Sequence, residues 1–265
     1  MIRSIDHIVI AVRDLARASA DYERAGFTVT PGGEHTGGAT HNALISFADG
    51  AYFELIAFAE PDRPQEHRWW EPLQAGEGLV DFALLTDGLA EEAERLTAAG
   101  LPADGPRDGG RLRPDRQRVA WRTLVFAEGA PPLPFVIEDV TVRDLRVPPG
   151  AATRHPLGVD RVAGLILVVA DLEQSAPAFE ALLGSPAAGA APHAHGVRGA
   201  RRFVLGNQWI ELAQPDAGAS ELRRHLDVRG DGPYEVVLGR AGGGADSGEL
   251  LPPATTHGVR IRIAS

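Results

Sequence analysis

Two side chains suited to acid–base chemistry or metal binding lie inside apolar runs that have the pattern of β-strands. His7 lies in the run 5–12 and Glu54 in the run 52–56. Strand residues two apart share a face, so both side chains point to the same side as apolar neighbours. A carboxylate in such a place is costly unless it is paired, hydrogen-bonded or bound to a metal. The pair therefore predicts a metal site, or else a buried hydrogen-bonded pair in which an arginine such as Arg122 neutralises Glu54.

A glycine-rich stretch, residues 31–42, supplies further polar candidates. Its glycines would let a loop close over the mouth of a cavity, where His35 could act as a catalytic acid or base. His41 and Asn42 alternate into the strand that follows, so only one of them can contact a substrate in that cavity. Arg122, farther along the chain, could bind a substrate carboxylate or form a salt bridge. Alternatively, the glycines serve turns and the stretch has no part in chemistry.

Composition excludes several classes of function. The 265 residues carry a net charge of −10 and the sequence pI is about 5.4, which argues against nucleic acid as a partner because phosphate binding needs clustered positive charge. No apolar run reaches membrane-spanning length and no signal peptide is recognisable, so we expect a cytoplasmic protein with no membrane partner. The chain has no cysteine and no lysine, which excludes thiolate metal sites, cysteine nucleophiles and Schiff-base chemistry.

The elements that would position His7 and Glu54 recur along the chain. Strand patterns, helix caps and glycine stops predict the order β-α-β-β-β from the start of the chain, and this order begins again near residues 79 and 162. The glycine-rich stretch and residues 101–117 are expected to be loops. The predicted strands are 5–12, 27–30, 43–47, 51–58, 79–86, 119–126, 134–139, 234–238 and 259–263, and the run 202–212 closes the third repeat.

A proline- and glycine-rich segment, residues 147–156, is the clearest linker in the sequence. It falls between the second and third repeats, which predicts a domain boundary there. The N-terminal domain would then be residues 1–147, with two repeat units at about 1–58 and 78–140, and the C-terminal domain would be residues 158–265.

The repeated unit, with a histidine on its first strand and a glutamate on its fourth, resembles the glyoxalase, bleomycin-resistance and extradiol-dioxygenase superfamily, the vicinal oxygen chelate fold. The runs 32–44, 52–56 and 133–137 look like those of its glyoxalase-like domain proteins. The resemblance covers most of residues 4–140 and weakens beyond. It implies an α+β fold in which tandem βαβββ units pair into half-open barrels.

In that superfamily each unit of a pair supplies two metal ligands, one from its first strand and one from its fourth. Carried onto this chain, the resemblance implies the set His7, Glu54, Asp81 and Glu138. One imidazole with three carboxylates is an oxygen-rich site, which favours Mg²⁺, Mn²⁺ or Fe²⁺ over Zn²⁺. Glu138 could stay unliganded and act as a catalytic base. Asp139 competes with Glu138, since a slip of one residue flips the face, and Asp81 could instead lie at the surface.

The second half of the chain resembles a degenerate copy. The position of His7 falls at or near Gly164, whereas Glu211 keeps the glutamate position. We therefore expect the C-terminal half to have lost metal binding. The recurrence of a glutamate without a histidine also leaves open that Glu54 has a structural role.

The resemblance implies a metalloenzyme of the lyase or isomerase type. Its metal would chelate vicinal oxygens of a small oxygenated metabolite while a carboxylate moves the proton. A dioxygenase is less favoured, because a mononuclear iron site normally needs a second histidine. The alternative is a metal-free protein that binds or sequesters a small molecule in the same cavity. Either would be a monomer or a homodimer.

Overall fold

The protein combines a strand barrel with a second sheet. The computed structural model describes residues 1–127, 133–189, 196–218, 220–243 and 248–264, and within these ranges eight strands form a closed barrel and six form a sheet. The barrel strands are β1 (Ser4–Ala11), β2 (Thr30–His35), β3 (Thr40–Ser46), β4 (Tyr52–Phe58), β5 (Gly78–Leu85), β6 (Ala103–Leu112), β7 (Arg118–Phe126) and β8 (Phe135–Asp139). The sheet strands are β9 (Arg161–Val168), β10 (Val197–Leu205), β11 (Gln208–Pro215), β12 (Gly232–Gly239), β13 (Gly248–Leu250) and β14 (Arg260–Ala264).

Helices connect and cover the strands. The α-helices are α1 (Leu15–Arg24), α2 (Trp70–Ala75), α3 (Leu89–Ala98), α4 (Arg143–Arg146), α5 (Leu172–Leu183) and α6 (Glu221–Arg229), with 3₁₀ turns at Gly150–Thr153 and Pro253–Thr255. Asp14 caps α1 as the sequence predicts, because its carboxylate accepts a hydrogen bond from the Arg17 N–H at 3.0 Å. No helix in the described part of the chain is both long and apolar enough to cross a membrane.

The barrel consists of two paired βαβββ units, which confirms the predicted α+β class. Its strands run in the order β1-β4-β3-β2-β6-β7-β8-β5. Strand β1 lies between its own unit's β4, in parallel, and β5 of the next unit, antiparallel. The antiparallel pair β2–β6 closes the circle on the opposite side.

The two strands that close the barrel were predicted to be loops, and this prediction is wrong. Strand β2 runs through the glycine-rich stretch, and β6 occupies most of residues 101–117. Glycine is required here because neighbouring backbones approach closely. A Cβ on Gly32 would lie 2.0 Å from Asn42 Oδ1, and one on Gly33 would lie 2.1 Å from the Leu112 carbonyl oxygen. The glycines thus permit tight strand pairing.

The predicted linker, residues 147–156, packs against the barrel. His155 is buried there, and its two ring nitrogens bond to the Thr28 N–H and the Ser46 carbonyl oxygen, both at 3.0 Å. The Ser46 oxygen needs a donor, so Nε2 carries the proton and Nδ1 accepts. Burial accordingly lowers the pKa of His155.

One hydrophobic cluster spans the barrel and the second sheet. It includes Ile8 and Phe53 of the barrel together with Leu165 and Ile210 of the sheet. The run 202–212, which was predicted to close the third repeat, forms part of the β10–β11 hairpin, which turns at Gly206. The sheet therefore supports β1, the strand that carries His7.

Candidate active site

A β-bulge places two titratable side chains of β1 in contact. The β1–β5 register skips one residue between Ile5 and His7, so Asp6 is the extra residue. Strict alternation would separate neighbouring side chains, but a bulge turns one of them. Asp6 Oδ1 lies 2.6 Å from His7 Nδ1 and accepts its hydrogen bond. This contact fixes the ring so that Nε2 faces the barrel interior.

Glu54 is the centre of the polar group inside the barrel. Its Oε2 lies 3.4 Å from His7 Nε2, and its Oε1 lies 3.3 Å from His35 Nε2. Asn42 Nδ2 donates to Oε1 at 2.6 Å. The Thr40 hydroxyl lies 2.8 Å from His35 Nδ1. One buried carboxylate therefore bonds to side chains from β1, β2 and β3.

The contacts between Glu54 and the two histidines shift the pKa values of Glu54 and His7 in opposite directions. Burial alone would raise the pKa of Glu54, but hydrogen bonds and charge from His35 and His7 hold it well below its ordinary value. Burial alone would lower the pKa of His7, yet its hydrogen bonds to Asp6 and Glu54 raise it. The pair therefore favours an imidazolium beside a carboxylate. Such a histidine can hold a proton at Nε2 or release it to a bound ligand.

Aromatic side chains confine the His7 ring. It stacks on Tyr52 at 4.6 Å between centroids and meets Phe135 edge-on at 5.3 Å. Trp121 approaches His35 at right angles. An apolar cluster lies beside this group and consists of Val9, Ala11, Ile56, Phe58, Leu73, Ala83, Phe135 and Ile137. A ligand at His7 Nε2 would thus contact the polar group on one side and the apolar cluster on the other.

A buried ion-pair network supports Asp6. Arg146 donates from Nη1 and Nη2 to the two Asp6 oxygens at 2.7 and 2.8 Å, and from Nη1 to the Tyr52 hydroxyl at 2.9 Å. Arg143 and Asp139 complete the network. Burial would raise the pKa of Asp6, but the guanidinium of Arg146 keeps it well below its usual range. Asp6 is thus an anion that holds His7 in one orientation.

The sequence matches a known family over most of its length. The model of the glyoxalase-like domain family matches residues 5–183. The chain belongs to this family. No functionally curated protein matches it.

Three solved structures illustrate the fold of this glyoxalase-like protein. A hypothetical protein from Staphylococcus aureus aligns over 98% of both chains with 15% identity and a TM-score of 0.72. A mutant of 4-hydroxymandelate synthase from Streptomyces coelicolor aligns over 90% of this chain and 72% of its own, with 15% identity and a TM-score of 0.60. A fusion of a xylose isomerase-like TIM barrel with 4-hydroxyphenylpyruvate dioxygenase aligns over 90% of this chain and 37% of its own, with 16% identity and a TM-score of 0.54. These likenesses show the vicinal oxygen chelate fold alone.

Strand register identifies the positions that match His7 and Glu54 in the second unit. His7 pairs with Ala83 and Val9 with Asp81, so the antiparallel β1–β5 pair places Asp81 in β5 where His7 lies in β1. Val9 pairs with Glu54 in the first unit, and its counterpart Ala83 pairs with Phe135 in the second. The second unit therefore has Phe135 at the glutamate position.

Asp81 faces the barrel interior but is already bound. Its Oδ2 accepts hydrogen bonds from Trp69 Nε1 and pairs with Arg68 Nη2, both at 2.8 Å. Its Oδ1 accepts from the Phe82 N–H at 2.9 Å. Burial raises the pKa of Asp81. The carboxylate thus holds the segment that precedes α2 over the barrel, a role that the sequence did not suggest.

The structure does not bring Glu138, the predicted ligand and catalytic base, to His7. Glu138 alternates with Ile137, which lines the barrel interior, and so lies on the other face of β8. Its carboxylate pairs with Arg122 at 2.5 Å and accepts weakly from the Leu89 N–H. It lines a cavity of about 520 Å³ at the end of the barrel, together with Arg3, Ser4, Asp49, Leu85, Thr86, Asp87, Asp139 and Arg143. The position on β8 that corresponds to Glu54 is that of Phe135, three residues before Glu138.

Two predicted substrate contacts also lie elsewhere. His41 and Asn42 occupy opposite faces of β3, and Asn42 is the one that reaches Glu54. Arg122 alternates with Trp121 and pairs with Glu138. His35 and Asn42 are therefore the predicted residues that join His7 and Glu54. His193 and His195, whose spacing is weak sequence evidence for a metal, lie outside the described residues.

The second sheet has the same positions with different occupants. Strand pairing places Gly164 where the barrel has His7, Trp209 where it has Tyr52, and Glu211 where it has Glu54. A Cβ on Gly164 would lie 2.2 Å from the Trp209 ring, so the indole fills the space of the imidazole. Glu211 accepts a hydrogen bond from Arg202 at 2.9 Å. Arginine pairing thus replaces the histidine partner in this half.

The donor atoms fit a four-ligand metal site poorly. Of the four predicted ligands, His7 and Glu54 are together, Asp81 is bound to Arg68 and Trp69, and Glu138 lies on another face. Among the residues that the structure describes, no group of three or more His, Asp or Glu side chains has the arrangement of a metal centre. The oxygens of Glu54 are instead bonded to Asn42 and the histidines.

Proposed function

We propose that the protein is a lyase or isomerase that binds a small oxygenated metabolite inside the barrel and moves a proton through His7. The observation that carries the proposal is the buried chain of contacts Asp6–His7–Glu54, with 2.6 Å and 3.4 Å between its members. Asp6 would keep the proton on Nδ1, so that Nε2 exchanges a proton with the ligand. Glu54 would stabilise the imidazolium that results. A role of this kind follows from orientation and charge rather than from metal chelation.

The other two polar side chains would orient the ligand. Asn42 and His35 both contact Glu54 Oε1, so a ligand oxygen could replace one of these bonds. The apolar cluster beside them would exclude water, which strengthens charge interactions in the site. The ligand's reacting carbon would then lie between His7 Nε2 and the apolar side.

Deuterium exchange tests the proposed proton transfer. We expect the protein to catalyse loss of the C–H signal beside the carbonyl or hydroxyl carbon of at least one compound in a set of small hydroxy and oxo acids, aldehydes and ketones, followed by ¹H NMR in D₂O. His7→Gln should slow this exchange by about 10²-fold or more, the usual contribution of a positioned acid–base group. Arg122→Gln, which removes a charge outside the barrel, should exchange deuterium at the wild-type rate. Equal exchange by the wild type and His7→Gln would refute the proposal.

The apolar cluster of the barrel favours a second candidate, binding without reaction. Eight apolar side chains beside one polar group can hold a small molecule whether or not a proton moves. The same compounds distinguish the two functions. A compound that raises the melting temperature without exchanging deuterium supports binding alone.

A further inference from the structure

Arg111 is a buried cation without a carboxylate partner in the described part of the chain. Its side chain lies inside the barrel on β6 and is 3% exposed. Its Nη2 donates to the Arg146 carbonyl oxygen at 2.6 Å, whereas its Nε has no partner among the described residues. A buried guanidinium without a counter-ion is costly. Its presence indicates that another group supplies the negative charge.

The neighbouring arginines show that this is unusual within the barrel. Arg143 and Arg146 share two carboxylates, Asp6 and Asp139. Arg68 pairs with Asp81 at 2.8 Å. Glu54 is bonded to two histidines and Asn42, so it does not serve Arg111 directly. Among the described residues, Arg111 therefore has no carboxylate within ion-pair distance, unlike the neighbouring arginines.

Two further polar atoms lack partners on the same wall. Ser46 Oγ and Asn42 Oδ1 are buried and have no hydrogen bond to any described residue. Both side chains belong to the inward face of β3, where Ser46 pairs opposite Tyr52 and Leu44 pairs opposite Glu54. The charge of the Glu54 carboxylate acts on Arg111 at longer range than an ion pair. Arg111 Nε, Ser46 Oγ and Asn42 Oδ1 are thus three buried polar atoms of the barrel that lack partners among the described residues.

We propose that Arg111 binds the carboxylate of the metabolite, and that the substrates of this site are small hydroxy acids. A guanidinium offers a planar fork that matches a carboxylate, and the Ser46 hydroxyl can donate a further hydrogen bond. Asn42 Oδ1 accepts only, so it requires a donor such as a hydroxyl group next to the carboxylate. This inference rests on the proposed function for the location of the reacting carbon, beside His7.

Binding of acids and of their uncharged amides tests the assignment. The probes are glycolate, lactate and 3-phenyllactate, each compared with its amide at constant ionic strength, by calorimetry and melting temperature of the full chain. We expect at least one acid to bind about tenfold or more tightly than its amide, because a hydrogen bond to a charged group is worth more than a neutral one. Arg111→Met should remove the preference. Arg111→Lys, which keeps the charge without the fork, should retain part of it.

Arg113→Met is the matched control. Arg113 lies just beyond β6 and donates to the Leu145 carbonyl oxygen at 2.7 Å, much as Arg111 donates to that of Arg146. This variant should keep the full preference for acids. Absence of any acid preference in the wild type, or its persistence in Arg111→Met, would overturn the assignment. If acids bind more tightly than amides in an Arg111-dependent way but no deuterium exchange occurs, the assignment of Arg111 is supported and the proposed proton transfer is refuted.

Discussion

Replacing Arg146 with methionine is expected to destabilise the protein by about 3–5 kcal/mol, the usual cost of removing one partner from a buried ion pair. The side chain is 1% exposed and donates to Asp6, Asp139 and Tyr52. Its loss leaves the fully buried Asp6 with Arg143 and His7 alone. Urea unfolding measures the change in the free energy of unfolding.

The control for this prediction is Arg122→Met. The Arg122 side chain is 41% exposed and pairs with Glu138 at the end of the barrel, so its loss should cost about 1 kcal/mol or less. Adding Asp6→Asn to Arg146→Met should recover part of the lost stability, because the uncompensated anion is then removed. A loss in Arg146→Met no larger than in the control would contradict the account of the network.

The contact between His7 and Glu54 is expected to stabilise the folded protein only within a limited pH range. The folded pKa of His7 is raised, so its contribution is fully present below its ordinary pKa of 6.5 and is lost as the pH rises through the folded pKa. The folded pKa of Glu54 is lowered, so its contribution is present above its ordinary pKa of 4.5 and is lost as the pH falls through the folded pKa. The contribution of the pair should therefore be greatest between pH 4.5 and 6.5.

Comparison with Glu54→Gln isolates this effect from the other titrating groups. Burial lowers the pKa values of His67, His155 and His225, which contribute their own dependence on pH. The contributions of His155 and His225 cancel in the difference between the unfolding free energies of the two proteins, whereas the charge of Glu54 acts on the pKa of His67 as well as on that of His7. We expect that difference to be about 1.5–3 kcal/mol near pH 6, the usual value for hydrogen bonds to charged groups, and to shrink toward pH 9. A difference that stays constant from pH 5 to 9 would contradict the coupling.

The sequence predicted the elements whose residues have strong local patterns. His7 and Glu54 lie on strands that read as apolar runs, and both repeats of the barrel could be traced from caps and glycine stops. Strands β2 and β6 could not be predicted, because glycine has low strand propensity and its value here depends on backbones that meet only in the folded barrel. Local patterns thus predicted the fold class but not the two strands that close the barrel.

The site was predicted in part for a related reason. Strict alternation assigns Asp6 and His7 to opposite faces, and only the bulge brings them together. Asp6 could still have been suspected, since a carboxylate inside an apolar run is as costly there as in the run of Glu54. Arg111 comes from a segment that was predicted to be a loop, and Arg146 lies between the last predicted strand of the second repeat and the predicted linker, so the burial of both side chains depends on tertiary packing.

The pKa of His7, measured by NMR titration, tests directly whether Glu54 stabilises the protonated form of His7. The protein has nine histidines, and the resonance of His7 is identified as the one that is absent from the spectrum of His7→Gln. The structure predicts a pKa above the ordinary 6.5 in the wild type, and a lower pKa in Glu54→Gln, in which the carboxylate that stabilises the imidazolium is absent. A His7 pKa at or below 6.5 in the wild type, or one unchanged by Glu54→Gln, would contradict the account.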